Sequence, residues 1–141
     1  PDYVLPPESS MNEPVVYFNS GFVPASQAKL NIYDLGLVLG ATLTEMTRTF
    51  QHAPYRAEDH VARLYRSLKY SGLAIQLSQQ EMTEKTYELA RRNCELISAT
   101  QDLGIVHFVT PGENLLYAGS AGGGGPMSPT ICIHSFPLRF S

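Results

Sequence analysis

Polar and apolar residues alternate from Leu43 to Phe50. Thr44, Met46, Arg48 and Phe50 fall on one side and Leu43, Glu45, Thr47 and Thr49 on the other, a period of two that predicts a strand. The period changes at Glu58. Val61, Leu64, Tyr65, Leu68 and Gly72 recur at spacings of three and four, which predicts a helix over 58–72. Glu58 and Asp59 suit its positive N-terminal end, and Gly72 is a natural terminator. A second helix is predicted from Ser78. Ser78 and Glu81 have capping-box spacing, and Met82, Leu89, Ala90, Leu96 and Ile97 supply an apolar face. Near the start, Val15–Phe18 and Phe22-Val23-Pro24 flank the turn signal Asn19-Ser20-Gly21. That predicts a hairpin whose second strand lies at a sheet edge, because proline cannot donate to a ladder. Gln51-His52-Ala53-Pro54 reads as a turn, and Gly104–Thr110 and Pro129–Phe136 read as two closing strands. Strands, two helices and then strands predict an α+β domain: an antiparallel or mixed sheet with two helices on one face.

Composition narrows the class. A chain of 141 residues, 43% hydrophobic and 16% charged, is long enough to bury one core without staples. Residues 1–14, with four prolines, read as an arm, and 15–141 as a single domain. A net charge of −3 argues against nucleic acid as a partner, and no lysine/arginine block suggests an anionic membrane surface. No run approaches the ~20 apolar residues of a membrane span, and the opening residues do not form a signal peptide. Cys94 falls in a helical pattern and Cys132 in a strand pattern, so both are expected to be reduced, buried thiols in a cytoplasmic protein. The chain does not begin with Met, which suggests processing or a longer parent.

No residue is placed for chemistry in an obvious way. The four histidines, His52, His60, His107 and His134, lack the short spacings of a zinc site, so no metal is expected. The cysteines have no basic neighbour in sequence, and no Gly-x-Ser-x-Gly elbow is present. Gly122–Gly125 precedes proline and a strand rather than a helix, so it reads as a loop and not a phosphate cradle. Arg63 is different. On a helical wheel it lies nearly opposite the Val61/Leu64/Leu68 stripe, with His60 and Ser67 on its side, where a guanidinium fork would suit a phosphate. Arg48, on the strand face with Thr44 and Met46, is a second candidate anion contact.

These segments, taken in order, resemble the class IV (fold type IV) pyridoxal-phosphate enzymes. That group includes branched-chain and D-amino-acid aminotransferases and aminodeoxychorismate lyase. The residues that carry the resemblance are Asp34, Gly36 and Gly40, then Glu45, then His60-Val61-Ala62-Arg63-Leu64. Phe108-Val109-Thr110-Pro111-Gly112 and His134-Ser135-Phe136-Pro137-Leu138 extend it to nearly the whole of 15–140. The resemblance implies the small domain of a transaminase moving an amino group between an amino acid or amine and a keto acid. A lyase or a non-catalytic stand-alone domain are the alternatives. It implies pyridoxal 5'-phosphate as cofactor, with Arg63 on its phosphate, and Leu39, Thr44, Glu45 and Arg48 lining or bordering the substrate pocket. Leu39 stands where an aromatic is usual and cannot supply its hydroxyl; Thr44 likewise replaces a common aromatic. Pro111 stands near where some members carry a carboxylate-gripping arginine. The Schiff-base lysine belongs to a second domain, so no catalytic residue is expected among Lys29, Lys69 and Lys85. The resemblance also implies a homodimer.

Overall fold

The structure, a computed structural model, describes residues 12–114 and 128–139. The Gly122–Gly125 loop and most of the predicted arm lie outside the described residues.

Six strands form one sheet: β1 (Val15–Phe18), β2 (Gly21–Pro24), β3 (Leu43–Phe50), β4 (Ala53–Pro54), β5 (Leu103–Thr110) and β6 (Thr130–Pro137). Their spatial order is β2-β1-β6-β5-β3-β4, and every pairing is antiparallel. Pro24 sits on the edge strand, where its missing N–H costs nothing. Among the described residues the strands are joined by a 3₁₀ turn at Ala25–Gln27, a single helical turn α1 (Leu35–Val38), and then α2 (Ala57–Ser71) and α3 (Gln79–Cys94).

The end of α2 and the start of α3 lie where local chemistry dictates. In α2, Gly72 takes the left-handed conformation at φ 72°, and its N–H closes onto Leu68 and Lys69 carbonyls. In α3, Ser78 and Glu81 form the reciprocal capping box. The apolar stripes then pack on one face of the sheet. Val61, Leu64 and Leu68 of α2 and Met82, Leu89 and Ala90 of α3 meet Tyr17, Ile105, Val109, Ile131 and Ile133. A fully buried Leu or Val contributes roughly 1.5–3 kcal/mol, so this layer is what fixes α2 against the sheet.

Two predicted features are corrected, and one element is added. Helix α3 ends at Cys94, so Leu96 and Ile97 lie beyond it, and Leu96 is exposed. The last buried turn is polar instead: the Asn93 amide accepts from Val15 N–H and donates to the Val15 carbonyl and Ser135 hydroxyl, tying the helix end to β1 and β6. The Asp34–Gly40 segment contains one capped helical turn as well as a turn into β3. In Gln51-His52-Ala53-Pro54, the reversal is made by Gln51 and His52, both at positive φ, while Ala53-Pro54 already pairs back onto β3. Asp102 accepts from His52 N–H at 3.0 Å and from the Thr49 hydroxyl at 2.6 Å, which holds this turn without glycine.

Candidate functional site

Asp34 anchors the first part of the site. It is 2% exposed and caps α1 by accepting from Gly36 N–H at 2.8 Å. It also accepts from the Thr110 and Thr130 hydroxyls at 2.7 and 2.6 Å, so one carboxylate pins α1 to β5 and β6. Gly36 is required by proximity: a Cβ there would lie 2.4 Å from Thr110 Cγ2. Gly40, at φ +68°, turns the chain into β3. The turn of α1 presents Leu37 and Leu39 outward, 63% and 64% exposed.

The second part joins β3 to α2. Glu45 points to the helix side of the sheet and is 6% exposed. Its Oε2 accepts from Arg63 Nε at 2.8 Å, and its Oε1 accepts from Arg63 Nη2 as well. His60 Nδ1 lies 2.8 Å from the same Oε1. The spacing His60-x-x-Arg63 puts both side chains on the flank of α2 that overlooks Glu45. Hydrogen bonding to Arg63 is the main reason the Glu45 carboxyl titrates at about 2, well below the usual range, with His60 adding to it and burial opposing.

Among the described residues, Arg63 is held by one edge only. A guanidinium has five N–H donors; Glu45 engages one on Nε and one on Nη2. The side chain is 61% exposed, so the remaining Nη edge faces outward and can grip two oxygens of an anion while Glu45 keeps its hold.

The predicted pocket residues do not share one wall. Thr44 and Arg48 lie on the sheet face away from the helices, whereas Glu45 lies on the helix face. Arg48 is drawn to the far end of β3: its Nε donates to the Thr49 carbonyl at 3.0 Å and its guanidinium stacks 3.9 Å from the Phe50 ring. Gly104, opposite Arg48, leaves room for the ring of Phe136, whose Cζ occupies space 2.4 Å from where a Cβ would stand. Lys29 and Lys69 are exposed, and Lys85 lies 5.9 Å from the rings of Tyr17 and Phe22. Cys94 and Cys132 are free and buried, as predicted; burial pushes the Cys132 thiol up to about 12, which removes it as a nucleophile. Among the described residues no cluster of metal-ligating side chains occurs, and no helix is long and apolar enough to cross a membrane.

The sequence reading named His107 only as a histidine without metal-site spacing and did not mark Thr86. His107 is fully buried, with Nε2 at 2.8 Å from Thr86 Oγ1. No sequence signal marks it, because its position opposite Glu45 exists only once the β3–β5 register is known.

No family model matches the chain. A putative branched-chain-amino-acid aminotransferase of Methanocaldococcus jannaschii is 32% identical over 78 residues, 55% of this chain and 27% of that protein. A D-alanine aminotransferase of Bacillus licheniformis is 25% identical over 124 residues, 88% of this chain and 41% of the relative. The fold matches Escherichia coli branched-chain amino acid aminotransferase at a TM-score of 0.73 with 22% identity, covering 89% of this chain and 41% of that one. The sheet and the two-helix layer have the fold of that branched-chain aminotransferase, and part of the chain is similar in sequence to the class IV pyridoxal-phosphate-dependent aminotransferases. Within that family, the similarity is to branched-chain and D-alanine aminotransferases, of which the chain spans between about a quarter and two-fifths of the length.

Proposed function

We propose that this chain is the small domain of a pyridoxal-phosphate-dependent transaminase, forming one wall of the cofactor site and holding the cofactor phosphate through Arg63. The observation that carries this reading is the half-engaged guanidinium: Glu45 fixes one edge and the exposed edge is left for an anion. A solved branched-chain amino acid aminotransferase of the same fold is complexed with N-(5'-phosphopyridoxyl)-L-glutamate, which supports the choice of cofactor. When bound, the cofactor supplies a conjugated ring that accepts electrons from the substrate carbon. This chain's residues bind and orient. Arg63 grips phosphate oxygens, while Glu45 and His60 stop the guanidinium from rotating away. Leu39 and Thr44 border the substrate, offering an apolar side chain and a small hydroxyl.

None of Lys29, Lys69 or Lys85 serves as the reacting amine in this reading; it is supplied by a second domain. Arg48 borders the same open sheet face. The relatives named above are aminotransferases, which favours amino transfer over the lyase alternative. The substrates are then an amino donor and a keto-acid acceptor, and the working unit a homodimer.

The test is amino transfer by the full-length protein between amino acids and keto acids. Arg63→Ala is expected to weaken cofactor retention, followed by absorbance after dialysis, by about tenfold or more. Undiminished retention, or no amino transfer by the unmodified protein, overturns the reading.

A further inference from the structure

Glu45 joins two side chains of α2 on one oxygen. Its Oε1 accepts from Arg63 Nη2 and lies 2.8 Å from His60 Nδ1, so the imidazole adjoins the guanidinium. The His60 side chain is 23% exposed. Its other ring nitrogen, Nε2, has no hydrogen-bond partner among the described residues. Nor is that atom sealed from water: among the described residues the one buried side-chain polar atom without a partner is His107 Nδ1.

Counting protons fixes the ring. The Glu45 carboxyl, hydrogen-bonded by Arg63, titrates at about 2, so near neutral pH it only accepts. His60 Nδ1 therefore carries a proton whether the ring is neutral or charged, and Nε2 is the atom at which the charge changes. Histidine is the side chain whose ordinary titration falls near neutrality, whereas carboxylates and guanidinium groups keep their charge there. The groups around His60 are of the second kind or are held neutral. Glu45 faces it from β3 and Arg63 from its own helix. Asp59 is paired with Arg56 at 2.8 Å, and Glu58 accepts from the Tyr87 hydroxyl of α3 at 2.8 Å. His107 on β5 feels the His60 charge, but burial pushes its own pKa down to about 4.

We propose that His60 is the titrating member of the anion site: an anion on the outward edge of Arg63 draws a proton onto His60 Nε2, so the site binds anions more tightly as pH falls. With His60 neutral, Glu45 and Arg63 cancel and the cluster has no net charge. Protonation makes the three residues together singly positive, the state suited to a dianion. The proton comes from water and no other bond changes. The inference deepens the Arg63 reading and rests on it for the place of the anion.

Sulfate is the probe, because its charge is constant near neutrality, whereas a phosphate monoester changes charge near pH 6. Histidine ¹H–¹⁵N spectra of the labelled chain are recorded from about pH 8 to about pH 5.5, with and without sulfate. The neutral His60 ring is expected to carry its proton on Nδ1. Its titration midpoint is expected to rise with sulfate bound, while those of His52, in the β3–β4 turn, and His134, on the other face of the sheet, do not move. Sulfate affinity should be about fivefold higher at the acid end, the size of one interaction between hydrated charges at close range. His60→Gln, which takes up no proton, should bind sulfate equally at both ends. Should that variant not fold, the wild-type midpoint decides alone. An unmoved His60 midpoint with sulfate bound, or a pH dependence that survives in His60→Gln, overturns the proposal and leaves the Arg63 reading standing. Sulfate binding that is absent at every pH, or undiminished in Arg63→Ala, overturns the Arg63 reading and this inference with it.

Discussion

At the scale of single residues, Glu45 and His107 make the domain sensitive to acid in two separable stages. His107 has its pKa depressed from 6.5 to about 4 by burial. Its stabilising contribution is complete above pH 6.5 and is lost as pH falls through about 4, because the unfolded chain binds the proton first. Glu45 has its pKa lowered from 4.5 to about 2, chiefly by Arg63, so its contribution is complete above pH 4.5 and is lost towards pH 2. Urea midpoints measured from about pH 7 down to about 2.5 should fall in both windows. His107→Phe should flatten the upper one and Glu45→Gln the lower; parallel curves for all three proteins would refute the assignment. At pH 7, Glu45→Gln should cost about 1–2 kcal/mol, since it removes charge-assisted bonds but leaves Arg63 free to hydrate. Arg63 was legible from the sequence, because a cation opposite an apolar stripe is a matter of helical period alone. That Glu45 would be its partner was not, because the alternation of β3 tells which residues share a face but not which face the helices cover.

At the scale of elements, the strongest constraints are where backbones touch. Gly112 combines φ +86° with a Cβ position 1.9 Å from the Ser128 carbonyl oxygen, so β5 and β6 close together only if no side chain stands there. Gly112→Ala should cost about 3 kcal/mol or more, from overpacking and backbone strain together. Ser78→Ala, which removes half of the α3 capping box, should cost only about 1 kcal/mol. Thermal or urea unfolding ranks the two, and a Gly112→Ala protein as stable as the Ser78→Ala protein would contradict the account. The start of α3, the end of α2 and the edge position of β2 were readable, because Ser78, Glu81, Gly72 and Pro24 act through local rules. The end of α3 was misread because Leu96 and Ile97 continue the apolar period. The helix stops where the Asn93 side chain bonds β1 and β6, a constraint that exists only after the sheet has formed.

At the scale of the whole molecule, the described residues cover one face of the sheet with helices and leave the other without them. On the open side Met46 and Phe50 are each 49% exposed and Phe136 39%. Apolar surface of this kind marks an interface, and the proposed homodimer and second domain would use it. Light scattering of the isolated chain should show concentration-dependent association, and Met46→Lys should reduce it; a monodisperse monomer at high concentration would contradict that expectation. Association is secondary to the account's centre, which is the outward edge of Arg63. Titrating pyridoxal phosphate into the chain while recording its arginine side-chain ¹H–¹⁵N signals tests that edge most directly. The Arg63 Nη signals should shift and saturate while its Nε–H bond to Glu45 persists; an unmoved Arg63, or a shift confined to the other arginines, would contradict the claim.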